Sequence, residues 1–401
     1  MVGEVWVSAH LQRAMASLRG DRHRHEARDD AGGGILAWDV AVAIRLMVLC
    51  RFASFQGVLT ASRSKTGPIA DKMVSRFLAQ ALLPALAVAG TIQRRDNDTF
   101  DYDALSLRTV GGRNTLDWRV WLEKDGHPIS FWHDVPLYPD EDNKQVVNFV
   151  VEIPRWEDAK IEIRRQEPLN PIFHDERNGA PRFVESVWPH KTYPFLYGSI
   201  PQTWESPNFQ HDFTGEKGDN DPIDLFDIGL DIGYVGQVKQ VKLLGGLAPN
   251  DGGETDWKML AIDVNDPIAP LVDNYLDVEK YRPGTIQAFR DWFTYYKVAR
   301  GGHVIPIIGE TYQNATFATA VVEKGHKYWR DLISGAVDSN SINYNQTSRP
   351  DIKGSYVGSC SATLQLGIPS KSEEKPAAAK PTQYEHWHYL DEDFALIEVP
   401  V

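Results

Sequence analysis

A chain of 401 residues, 42% apolar and 24% charged, has an ordinary water-soluble composition and enough length for a large core. Its formal net charge of −13 argues against nucleic acid and anionic membranes, although cations could still bridge it to a small anion. The two cysteines, Cys50 and Cys360, make neither a disulfide framework nor a zinc site.

Residues 1–96 are rich in Ala and Arg, with a charged patch (RGDRHRHEARDD) and a glycine triplet at Gly32–Gly34. They read as an irregular extension with one or two marginal helices. No segment qualifies as a membrane span, because the apolar run ILAWDVAVAIRLMVLCRF carries Asp39 and Arg45 near its middle. A second run starts at Met73, with Arg76, apolar residues from Phe77 to Ala89, small-residue pairs at Ala85/Ala87 and Ala87/Ala89, and then Arg94-Arg95. Over 73–90 that is the layout of a secretory signal placed inside the chain. As written, the run is an internal apolar helix and the protein cytoplasmic; a true start at Met73 would make it secreted or organelle-targeted. Sequons at Asn97, Asn314 and Asn345 are compatible with export.

From 97 to 338 the pattern changes to short strands and then helices. NTLDWRVWLEKDGHPISFWHDVP predicts strand, Asp125-Gly126 turn, strand. QVVNFVVEIPRW predicts a strand ended by Pro154; AKIEIRR and VGQVKQVKLLG alternate as strands do; DWKMLAIDV suits a buried strand. PGTIQAFRDWFTYYKVA places Ile286, Phe289, Phe293 and Tyr296 on a helical stripe, and FATAVVEKGHKYWRDLISG does so with Val321, Gly325, Tyr328 and Leu332, with Gly335 as its stop. Residues 339–401 read as a loose arm, rich in Ser, Asn, Pro, Lys and Gly as far as Thr382, ending in the aromatic patch YEHWHYLDEDF. The fold class is α+β, a strand-rich core followed by helices.

The chemistry concentrates in GDNDPIDLFDIG, Gly218 to Gly229. Between Asp219 and Asp256 stand eight acidic residues against two lysines, Lys239 and Lys242. Two carboxylates 4 Å apart at an effective dielectric near 20 repel by roughly 4 kcal/mol, so either water or something positive must separate them. Turn-forming aspartates are one explanation. A calcium EF-hand loop fails, because Ile223, Asp224 and Leu230 occupy its fifth, sixth and twelfth positions. An open site for hard cations such as Mg²⁺, with places left for water and a phosphate, is the sharper reading. NDGGETDWK adds Asp251, Glu254, Asp256 and Lys258, and alternation puts Asp256 and Lys258 on one face as a pocket pair or a surface ion pair. Upstream, Lys160 and Glu162 share a strand face at i, i+2, followed by Arg182, Tyr193 and Tyr197.

Together the blocks VVEIPRW, AKIEI, RFV, YGSIPQTWE, GDNDPIDLFDIG, GQVKQVK, GGETDWK, AIDVNDP and WFTYYK resemble, in order and near-spacing, the soluble (family I) inorganic pyrophosphatases in their eukaryotic form. The resemblance runs from about Tyr102 to Gly335, with HWHY near the end, and does not include residues 1–96. It implies a closed five-stranded barrel of oligonucleotide-binding (OB-like) type with flanking helices. It also implies Mg²⁺-dependent hydrolysis of inorganic pyrophosphate with several ions per site. By the same resemblance Asp219, Asp224 and Asp256 hold the tightly bound metals, while Glu162, Asp251 and Asp256 hold those arriving with substrate. Asp221 takes a proton from the attacking water. Lys160, Arg182, Tyr197, Tyr296 and Lys297 contact phosphate, Tyr193 and Lys258 line the same pocket, and Arg155, Trp156 and Trp387 match a homodimer contact.

This chain departs from that pattern in three places. Gly252 follows Asp251 where an acidic residue is usual, VARGGHVIPIIGE lacks the turn that carries a pocket-edge lysine, and Lys191 replaces a histidine at the dimer contact. The alternative reading is an inactive OB-like partner-binding module, and a third is a phosphohydrolase acting on a larger phosphoester.

Overall fold

The structure, a computed structural model, describes residues 100–397. The signal-like segment 73–90, the helices expected before it and Cys50 lie outside the described residues.

Ten strands carry the fold. In chain order they are β1 (Leu105–Gly112), β2 (Arg119–Lys124), β3 (His127–Ile129), β4 (Val146–Ile153), β5 (Ile161–Ile163), β6 (Ile172–His174), β7 (Leu196–Ser199), β8 (Asp224–Asp227), β9 (Val238–Leu247) and β10 (Lys258–Asp263). The β2–β3 hairpin forms as its turn dictates: Asp125 and Gly126 both adopt positive φ, 53° and 75°, and Lys124 faces His127. This hairpin, β1, β6 and β5 make one sheet.

The other sheet closes on itself. β10 pairs with β8, β8 with β7, β7 with β4, β4 with β9, and β9 returns to β10, giving a closed five-stranded barrel. Side chains alternate across its wall and feed two clusters. Leu225, Met259 and Ala261 point to one, Phe226, Leu260 and Ile262 to the other. Every residue of β10 is therefore buried, which explains a strand sequence with no polar alternation.

Helices α1 (Tyr275–Tyr281) and α2 (Thr285–Tyr295) cover one cluster through Val278 and Phe293, and α3 (Ala315–Ile333) covers the other through Val321 and Val322. The α2 and α3 stripes are those expected from sequence, and α3 stops as predicted: Gly335, at φ 74°, donates to Leu332 while Ala336 reaches back to Asp331. α1 was not expected.

The segment beyond Ser339 lies across the body. Asn343 N–H donates to Arg165 O at 2.8 Å, and Thr347 and Ser348 donate to buried Asp134. A short helix, α4 (Ser359–Gln365), then leads to a strand, Glu373–Lys375, that pairs with β1. Among the described residues no helix is long and apolar enough to cross a membrane.

Candidate active site

Strand pairing builds the site. β8 and β10 run parallel with Asp224 opposite Lys258, so the loops entering both strands meet at one rim of the barrel. A two-residue ladder, Lys217 with Glu254 and Gly218 with Thr255, ties those loops together. One loop carries Asp219 and Asp221, the other Asp251 and Asp256. Asp219 accepts the Asp221 N–H at 3.0 Å, which folds the first loop tightly around its acidic groups. On β7, Tyr197 donates its hydroxyl to Asp224, and the Lys258 ammonium touches both Asp224 and Asp256.

The facing wall is basic. Lys160 pairs with Glu162 at 2.8 Å beside β5, and Asp175 holds Arg182 at 2.7 Å. The end of α2 adds Tyr296 and Lys297, with the Lys297 ammonium against Asp251. Between the walls lies a cavity of about 270 Å³. All the expected site residues line it except Tyr193, which stands buried behind the wall, its ring 5.3 Å from Tyr197 and 5.0 Å from Trp292.

Several lining or supporting groups escaped the sequence reading. Glu152 of β4 lines the cavity, and its acidity within an apolar run was the available signal. Arg177 and Arg300 also reach the cavity; Arg300, on the turn Val298–Arg300, restores positive charge where the chain lacks the pocket-edge lysine. Its Nη1 is buried without a partner. Arg165 pairs with Asp221 at 2.7 Å. Glu205 lies behind the acidic loops, within one cluster with Asp219 and Asp256.

Burial sets the electrostatics. It pushes the Asp219, Asp256 and Glu152 carboxyls up, helped at Asp219 by Asp221 and Asp256. The Asp221 carboxyl rises to about 7, burial outweighing the Arg165 guanidinium; more than a third of the side chain is open, so water offsets part of that push. Burial would lower the Lys258 and Lys160 ammoniums, yet the surrounding carboxylates hold both well above the usual range. Lys297 feels opposing influences: burial and its neighbours Arg300, Arg182, Lys160 and Arg177 press it down to about 7, while contact with Asp251 favours the charged form.

The donor set fits a hard divalent cation. The cluster is oxygen-only, and Glu205, Asp219 and Asp256 each offer a carboxylate oxygen within 4.8 Å of the others. Asp224 stands beside that group, engaged by Tyr197 and Lys258.

The family profile described as inorganic pyrophosphatase matches residues 149–330. The inorganic pyrophosphatase of Zygosaccharomyces bailii is 46% identical over 288 residues, 71% of this chain and 98% of that protein. The structure of inorganic pyrophosphatase from Schistosoma japonicum superposes with a TM-score of 0.66 at 38% identity, covering 71% of this chain and 99% of the other. A vacuolar soluble pyrophosphatase of Trypanosoma cruzi, solved without its N-terminal domain and in complex with PPi, gives a TM-score of 0.53 at 37% identity over 57% of this chain and 90% of its own.

Proposed function

The chain belongs to the soluble (family I) inorganic pyrophosphatases of eukaryotic type, a metal-dependent family, and we propose from that premise that it hydrolyses inorganic pyrophosphate to two phosphates with Mg²⁺ in the cavity described above. The composition of the cavity wall carries the reading. Apart from Ile163 and Pro222, every lining residue is charged or a tyrosine. Pyrophosphate is small, highly charged and without an apolar part, so such a wall suits it and suits few larger phosphoesters. Mg²⁺ is the cation of choice because the donors are all oxygen and the substrate is itself a phosphate.

The two walls divide the work. Carboxylates of Asp219, Asp224, Asp256, Glu162 and Asp251 would hold the cations. When bound, divalent cations neutralise the phosphoryl oxygens and acidify water enough to supply a nucleophile near neutral pH. Arg182, Lys160, Tyr197, Tyr296 and Lys297 position the phosphates from the other wall, with Arg182 able to grip bidentately and the lysines acting as point charges. Asp221 accepts the proton of the attacking water, and Arg165, 2.7 Å away, holds the carboxylate in place. Lys258, between Asp224 and Asp256, bridges the two carboxylates. Tyr193 supports Tyr197 from behind.

We further propose a homodimer. Trp156 and Trp387 are 50% and 38% exposed and, with Arg155 and Lys191, line one surface hollow of about 540 Å³.

The direct test is phosphate release from pyrophosphate by the purified protein, with Mg²⁺ and then with chelator, beside Asp221→Asn. Expected are fast Mg²⁺-dependent release and a loss of about 10²–10⁴-fold in the variant. A folded protein that releases no phosphate would sink the reading. Undiminished activity in Asp221→Asn would remove Asp221 as the base.

A further inference from the structure

We propose that Glu205 is a cation ligand, its carboxylate joining Asp219 and Asp256 in an enclosed position for a hard divalent cation on the protein side of the acidic rim. The proposal rests on the metal-dependent reading of the site and adds a residue that this reading does not contain.

Three observations carry it. The first is geometric: one oxygen each of Glu205, Asp219 and Asp256 lie within 4.8 Å of one another, so small side-chain shifts bring all three onto a single ion at metal–oxygen distances of about 2.0–2.6 Å.

The second is an unmet need. Glu205 is 6% exposed, and its two oxygens differ. Oε1 accepts the Trp257 N–H at 3.0 Å. Oε2 is buried with no hydrogen-bond partner. A buried carboxylate oxygen without a donor is costly, and the Asp219 and Asp256 carboxylates clustered with Glu205 cannot donate when ionised. A cation satisfies all three at once.

The third is that the backbone is built to hold Glu205 there. Its N–H donates to Asp221 O at 2.8 Å and its carbonyl accepts the Asn220 N–H at 2.9 Å, so the residue is laced to the acidic loop on both sides. Gly218 lets the strands approach: a Cβ at that position would collide with the Glu205 backbone. With Trp257 next to Asp256 holding Oε1, the side chain is fixed between the two loops that carry its partners. Glu205 does not line the catalytic cavity. Its role is to grip the ion from behind and leave the cavity side free for water and substrate.

The test compares wild-type protein with Glu205→Gln. Glutamine keeps a carbonyl oxygen for the Trp257 N–H and replaces the other, charged oxygen by an uncharged NH₂ that cannot ligate a hard cation. Binding of Mn²⁺ is read from its electron paramagnetic resonance signal in the absence of pyrophosphate, alongside the Mg²⁺-induced rise in melting temperature. Expected is a Kd at least about tenfold weaker in Glu205→Gln, with a smaller Mg²⁺-induced rise and a chelated melting temperature no lower than wild type. If wild type itself binds no Mn²⁺ and gains nothing from Mg²⁺, the metal-dependent reading fails. If wild type binds and Glu205→Gln binds equally well, that reading stands and the Glu205 assignment is overturned.

A second measurement removes dependence on the variant's folding. Protein labelled with ¹³C at its glutamate carboxyls, loaded with one equivalent of Mn²⁺, should show a glutamate carbon coupled to the ion by electron–nuclear double resonance. The coupling should survive Glu162→Gln and Glu152→Gln and be lost in Glu205→Gln, and its absence from wild type would overturn the proposal.

Discussion

His133 offers a stability prediction that can be worked from its surroundings. The ring is fully buried, stacked 4.9 Å from Trp132. Its Nδ1 accepts the Trp329 Nε1–H at 3.0 Å, and its Nε2–H donates to Asn343 O at 3.2 Å. That pair of contacts specifies a neutral ring, because a proton on Nδ1 would face the indole N–H head on. Burial holds the pKa down to about 3, whereas the unfolded chain titrates near 6.5. The folded ring thus binds a proton less readily than the unfolded one. The stability it confers is complete above about pH 6.5 and drains away as the pH falls towards 3. Between pH 8 and pH 5 the loss amounts to roughly 2 kcal/mol. Urea denaturation of chelated protein at those two pH values, beside His133→Gln, isolates the contribution: other titrating groups act alike in both proteins, so the variant should lose about 2 kcal/mol less. An identical loss in both would refute the reasoning.

The remaining predictions concern the site and its surface. Chelation leaves Asp219, Asp221 and Asp256 to repel one another, so Mg²⁺ at about 100 times its Kd should stabilise the protein by about 2.7 kcal/mol; a melting temperature indifferent to Mg²⁺ would contradict this. Arg300→Ala removes a half-buried guanidinium whose buried Nη1 has no protein partner, and should raise KM for pyrophosphate about tenfold with a smaller change in kcat. An unchanged KM would place Arg300 outside the substrate's reach. Trp387→Ala should shift the sedimentation of the protein from dimer towards monomer, and a wild-type protein that sediments as a monomer would end the dimer proposal.

The parts of this structure that could be read in advance are those whose signal is local. Asp125-Gly126 specifies its own hairpin because both residues accept positive φ. The acidic loops announce themselves because each carries its carboxylates within a few residues, and parallel pairing of β8 and β10 brings the two runs to one rim. α1 was missed because DNYLDVEKY is short and only Val278 is buried, although Asp277 reaches back to accept the Asn274 N–H at its start. The arm's composition could not reveal that Asn343, Thr347 and Ser348 find partners, because those partners, His133 and Asp134, lie more than 200 residues earlier in the chain.

The same distinction holds within the site. Glu205 sits in a stretch, QTWE, with no carboxylate neighbours in sequence; its neighbours arrive only when Gly218 lets the loops touch. Arg300 is the sharper case. Matching by position shows a lysine absent after Lys297 and predicts lost charge at the cavity edge. The turn Val298–Arg300 instead carries a guanidinium into the same cavity from a different offset. Coulomb interactions depend on where a charge sits and hardly at all on which sequence position supplies it. Matching by position therefore brings the aspartates to the cavity, and is a poorer guide to the basic rim, where several routes deliver the same field.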